Sequence, residues 1–135
     1  MKELIWKILL VLAGIGNLLN ALWMLIDPEG WFFELPAAVP DFGPLNVHMV
    51  RDLGALFLTW AGLHFWAAFA PRLRATLLAI MAIWYLQHAL VHVFDTARGL
   101  VGPEHWIIDL PMVYVPALIY AFFSLYFARQ TELPA

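Results

Sequence analysis

Apolar positions along the chain fall into four long blocks, each close to the roughly 20 residues that a helix needs to cross about 30 Å of hydrocarbon. The blocks run from about Leu4 to Ile26, Leu45 to Phe69, Arg74 to Phe94 and His105 to Phe127. Proline and polar residues punctuate them. Ala70-Pro71 stops the second, Pro103 opens the fourth, and an aromatic and proline-rich stretch from Asp27 to Pro44 separates the first two. That stretch suits the headgroup zone of a membrane. The first block is longer than the 7–15-residue core of a signal peptide and carries Asn17, Asn20 and Trp23 where a small-residue cleavage site would lie, so it reads as a retained span. The pattern predicts an all-α, integral membrane four-helix transmembrane bundle, with spans at about 4–26, 45–69, 74–94 and 105–127 in a single domain covering 1–135.

Composition leads to the same solvent. The 135 residues are 64% hydrophobic and 13% charged, with mean hydropathy +0.80, against about 45–50% and about 25% in a soluble domain. A soluble fold of this size buries only about two-thirds of its surface, so the excess would face water as large apolar patches. The absence of cysteine excludes disulfides, thiolate metal sites and thiol chemistry. A net charge of −3 with 7 Lys+Arg gives no basic footprint for nucleic acid.

The distribution of positive charge predicts orientation, because cytoplasmic flanks retain Lys and Arg. Lys2, Lys7, Arg72, Arg74 and Arg129 fall on one side, and only Arg51 and Arg98 fall towards the other, which carries Asp27, Glu29, Glu34, Asp41 and Glu104. Both termini are therefore expected in the cytoplasm (N-in/C-in), in a multi-pass protein of the cell inner (plasma) membrane. The long loop and the 95–105 loop then face the periplasm or exterior.

Polar residues inside spans are costly and mark function by default. With this topology they share one layer in the outer leaflet: Asn17, Asn20 and Asp27 from the first span; His48, Arg51 and Asp52 from the second; Gln87, His88, His92 and Asp95 from the third; His105 and Asp109 from the fourth. His48 and Asp52 are four apart, as are His88 and His92, and His105 and Asp109, and Asp95 follows His92 by three, so each set lies on one helix face. The stripe from His48 continues inward through Ala55, Thr59 and Gly62, small and polar residues of the kind that helices turn towards one another in lipid. His64 falls on another face and reads as a packing or lipid-facing residue. Trp6, Trp31, Trp66 and Trp106 read as an interfacial belt, while Trp60 and Trp84 lie deeper.

Imidazoles and carboxylates from several helices at one depth form a donor set for zinc, copper, iron or manganese, and four-helix bundles hold such centres between facing helices. The expected metal ligands are His48, Asp52, His88, His92, Asp95, His105 and Asp109. Seven donors imply two ions, or some groups acting as orienting partners of the imidazoles. Asp52 and Asp95 are the candidate general bases, Arg51 is a clamp for a carboxylate or an anionic headgroup, and Asn17, Asn20 and Trp84 are candidate substrate contacts. A structural network of the same groups, Asp52 or Asp95 with Arg51 and His with Asn or Asp, is the competing reading.

The segment Asn46-Val-His48-Met-Val-Arg51-Asp52-Leu-Gly54, followed by His88-Ala-Leu-Val-His92-Val-Phe-Asp95, resembles small bacterial four-span membrane proteins of the DoxX-like kind. That resemblance covers about half the chain and implies a four-helix membrane fold, with no activity attached. The combination of Asp and two His on membrane helices is also similar in ligand type, though not in order or spacing, to the intramembrane copper site of particulate methane and ammonia monooxygenases.

The expected function is a membrane metalloprotein, read as an enzyme, acting on an apolar or amphipathic small molecule from the outer leaflet. Zinc would supply a lowered-pKa water for hydrolysis; copper or iron would supply redox chemistry, with zinc or copper favoured by the external location. Two alternatives stand beside it. One is a haem-bearing electron carrier using His48 with His88 or His92, and the other is a metal-free accessory or proton-relay subunit. Four short spans also suit a homo-oligomer.

Overall fold

The computed structural model of the chain describes residues 1–131 and is helical throughout, with no strand among the described residues. Two compact units divide it, Met1–Pro71 and Arg72–Ala135. Each is built around a pair of long helices.

In the first unit, α1 (Lys2–Ile26) pairs with α3 (Val47–Phe69), and a short α2 (Pro28–Glu34) and a 3-10 turn (Val39–Phe42) lie between them in sequence. Asp27 ends α1 and starts α2: its Oδ1 accepts from the Gly30 N–H at 3.0 Å, with Pro28 at the first helical position. Asn46 caps α3 in the same way through the Met49 N–H at 3.1 Å. Glycine lets α1 and α3 approach closely. A Cβ on Gly54 would stand 2.9 Å from Met24 Cβ and 3.3 Å from the Ala21 carbonyl oxygen, and one on Gly14 would meet the Phe65 ring at 2.7 Å. Small residues at such contacts are how helices pack where lipid removes the hydrophobic drive. Met24, Trp31, Phe32 and Val50 form the core at the α2 end, where the Trp31 indole N–H donates to Asn20 Oδ1 at 2.9 Å.

The second unit pairs α4 (Arg74–Ala97) with α6 (Val115–Thr131), and a one-turn α5 (His105–Ile108) and a π turn (Leu110–Tyr114) precede α6. Helix α4 ends in a Schellman arrangement: the Gly99 N–H donates to the Thr96 carbonyl at 3.1 Å and the Leu100 N–H to the Asp95 carbonyl at 2.9 Å. Gly99 takes φ 69°, which costs a residue without Cβ least. Pro111 has no N–H for the Ile107 carbonyl, so the chain widens into the π turn.

Three helical segments are long and apolar enough to cross a membrane, Lys2–Ile26, Pro71–Ala97 and His105–Gln130. Large apolar side chains such as Leu4, Leu12, Leu19, Leu90, Leu118 and Phe122 are exposed on these helices, which is what lipid contact requires. Helix α3 is as long as a span but is not among the three. His48, Arg51, Asp52, Thr59 and His64 lower its hydropathy.

Candidate functional site

The buried polar cluster lies in the second unit. His88 and His92 stand one turn apart on α4. His105 is the first residue of α5, and Asp109 follows it by four, at the junction of α5 with the π turn. That spacing puts the His105 imidazole and the Asp109 carboxylate on one face. Asp109 Oδ1 lies 3.2 Å from His105 Nδ1, and Oδ2 lies 2.8 Å from His92 Nδ1. One carboxylate thus joins two helical segments by accepting from two rings. His105 and Asp109 are fully shielded, and the His92 side chain is 13% exposed.

The polarity of these bonds decides the chemistry. A carboxylate accepts only, so each Nδ1 carries the proton it donates and the basic lone pair of each neutral ring sits on Nε2. Imidazoles held in that way are the general bases of hydrolytic triads and the oriented ligands of metal centres alike. The Thr96 hydroxyl donates to the His92 carbonyl at 2.9 Å, holding that turn of α4. Aromatic rings extend the row along α4. His88 meets His92 edge to face with ring centroids 4.6 Å apart, and Trp84 stacks on His88 at 4.9 Å with planes 13° apart. On the next face Tyr85 stacks on Tyr120 of α6 at 4.7 Å.

Of the residues expected to form one site, His92, His105 and Asp109 are brought together, with His88 and Trp84 in ring contact alongside. Asp95 is half-buried, and its backbone carbonyl serves the α4 terminus; its side chain takes no part in the His–Asp–His group. His48, Arg51 and Asp52 lie exposed on the first turns of α3, where His48 Nε2 and Asp52 Oδ2 are 3.4 Å apart with side chains 87% and 69% exposed. Among the described residues no group of three or more His, Cys, Asp and Glu side chains is arranged to hold a metal ion.

The expected facing of α3 is corrected as well. The stripe His48, Asp52, Ala55, Thr59 and Gly62 is exposed, whereas Val50, Gly54, Ala61, His64 and Ala68 are buried. The close approach at Gly54 sets that rotation, half a turn from the polar stripe. His64 is completely shielded, with Nδ1 donating to the Trp60 carbonyl at 2.7 Å. Asn17 Nδ2 donates to the Ala13 carbonyl of its own helix at 2.9 Å, with its shielded Oδ1 unbonded among the described residues, whereas Asn20 fixes Trp31 and so ties α2 to α1. Trp31 is a core residue and not part of a belt. Arg74, read as a flanking charge, is buried with its guanidinium 5.0 Å above the Phe127 ring.

Tyr114 was not legible as a neighbour of this cluster. It follows Asp109 by five residues, about 140° away on a regular helix at 100° per residue. The π turn closes with the Tyr114 N–H on the Asp109 carbonyl at 3.2 Å and carries Tyr114 back towards Asp109. The only sequence signal was the pair Pro111 and Pro116, each of which denies a helical carbonyl its donor. Comparison with family models, with curated proteins and with solved structures finds no match for this chain.

Proposed function

We propose that the protein is an integral membrane protein that binds a small amphipathic molecule at the Asp109-anchored histidines and exchanges a proton with it. One observation carries this reading: a fully shielded carboxylate receives the Nδ1 atoms of two histidines from separate helical segments. Burying a carboxylate in a membrane helix is expensive, and packing alone gives no reason to retain it. The bonds give each ring a defined tautomer and a basic Nε2, which is what a proton acceptor or hydrogen-bonding contact for a ligand hydroxyl needs. His92 and His105 act as bases, Asp109 orients them and stabilises their protonated forms, and Trp84 and His88 supply an aromatic flank for the apolar part. The surroundings of the ligand are then the outer half of an inner (plasma) membrane, with N-in/C-in topology from the charge distribution.

Protein purified in mild detergent tests this directly. Organic extracts of the wild type contain a small amphipathic molecule that is absent from extracts of Asp109→Asn and His92→Ala. Identical extracts from all three overturn the proposal.

A second reading keeps a transition metal, zinc or copper before iron, on the imidazoles. The observation favouring it is that both rings address the carboxylate through Nδ1, the orientation of carboxylate–histidine–metal relays. Stoichiometric metal in the wild type, lost in His92→Ala, would select this reading.

A further inference from the structure

The exposed face of α3 differs from those of the other long helices. Elsewhere such faces carry large apolar side chains, Leu12 and Leu19 on α1 and Leu90 on α4 among them, as lipid contact requires. On α3 the exposed stripe instead carries His48, Arg51, Asp52, Ala55, Thr59 and Gly62. A Cβ on Gly62 would meet nothing within 4 Å, so the face is open there. Small and polar residues on a helix of span length fit a neighbouring helix and not acyl chains.

We infer that this face is a homodimer interface, on which a second copy of the chain packs its own α3 in parallel about a two-fold axis. The Lys and Arg distribution gives every copy one direction of insertion, so two α3 helices meet in parallel. Charge complementarity selects a second copy as the occupant. Measured from His48 at 100° per residue, Ala55 and Thr59 lie within about 20° of the stripe's centreline, Arg51 about 60° to one side and Asp52 about 40° to the other. A two-fold axis turns the Arg51 side of one helix onto the Asp52 side of the next, so each Arg51 faces the partner's Asp52 and the pair forms twice. Arg51 makes no ion pair among the described residues. Asp52 stands 3.4 Å from His48 with its side chain 69% exposed, so its carboxylate is accessible to a second cation. A lipid headgroup on the same patch would satisfy one of the two signs and meet repulsion from the other.

Ala55 and Thr59 let the two backbones approach, in the small-x-x-x-small spacing of membrane helix pairs. The Thr59 hydroxyl already donates to the Ala55 carbonyl at 3.1 Å, so it enters the contact with its proton satisfied. Trp66, further along the stripe, is exposed, and two indoles there hold the helices apart. The contact is thereby confined to the 51–59 stretch. It is independent of the Asp109 group.

The chain has no cysteine, so single-cysteine variants of the full protein test the interface without background. In phosphatidylcholine vesicles under mild oxidation, Ala55→Cys and Thr59→Cys form disulfide-linked dimers. Leu19→Cys is the control: Leu19 is as exposed, and it lies on α1 between Gly14 and Ala21, level with the 54–65 stretch of α3. It gives only the collisional yield. Energy transfer between copies labelled at the N-terminus then measures association. Asp52→Arg or Arg51→Asp alone lowers the association constant about tenfold, the loss of two exposed ion pairs. The double exchange, Arg51→Asp with Asp52→Arg, restores it, because opposite signs again face each other across the axis. In excess detergent, where copies are separated, all these charge variants keep the unfolding midpoint of the wild type. Cross-linking at Ala55 and Thr59 no greater than at Leu19 overturns the inference. Unchanged association in the single charge variants overturns it too, as does a double exchange that fails to restore pairing.

Discussion

Gly54 and Gly62 lie eight residues apart on α3 in opposite surroundings, and replacing each by alanine isolates what holds the first unit together. A Cβ on Gly54 would stand 2.9 Å from Met24 Cβ, 3.0 Å from Leu25 Cγ and 3.3 Å from the Ala21 carbonyl oxygen, whereas one on Gly62 meets nothing within 4 Å. The first two Gly54 contacts are close to the α1 backbone and the third is part of it, so relief requires the helices to move apart. Overpacking of that kind costs about 1–3 kcal/mol. Both substitutions gain about 1 kcal/mol of helix propensity, which cancels in the comparison. Gly54→Ala is therefore expected to be less stable than Gly62→Ala by about 1–3 kcal/mol. Titration from mild detergent into dodecyl sulfate, followed by tryptophan fluorescence, measures both midpoints. Equal midpoints, or a more stable Gly54→Ala, would refute the packing of α1 on α3 described above.

Asn20→Leu removes the acceptor of the Trp31 indole and should cost about 1 kcal/mol, with a changed Trp31 emission as α2 loosens. Asp109→Asn places an amide that accepts from one Nδ1–H but presents donors to the other. A loss of about 1–3 kcal/mol is expected in the same titration, and no loss would mean that the carboxylate bridges nothing. His48→Ala and Asp52→Ala should each leave the midpoint within error, because that pair is exposed.

The helices were readable in the sequence because bilayer thickness leaves a signal some 20 residues long that no local contact needs to support. His105 and Asp109 were readable as a pair because i,i+4 spacing fixes a shared face, and His92 because it lies on the same row as His88. The rotation of α3 was not. Polar residues at 48 and 52 and small residues at 55, 59 and 62 suggested an inward stripe, but the helix turns according to where the α1 backbone comes closest, at Gly54. That depends on which of several small residues meets which partner, a pairwise fact absent from periodicity. Tyr114 escaped because its position depends on a π turn, and 100° per residue does not hold across one. Within the second unit Asp95 stays outside the His–Asp–His group for a related reason: equal depth along helix axes says nothing about the direction each side chain takes.

The central claim is that Asp109 holds His92 and His105 through Nδ1. Nitrogen-15 spectra of ring-labelled histidine in bilayers at neutral pH, assigned with His92→Ala and His105→Ala, test it most directly. Both rings should carry their proton on Nδ1 and none on Nε2, and Asp109→Asn should change the tautomer of at least one. A neutral ring protonated on Nε2 at either position in the wild type would contradict the account.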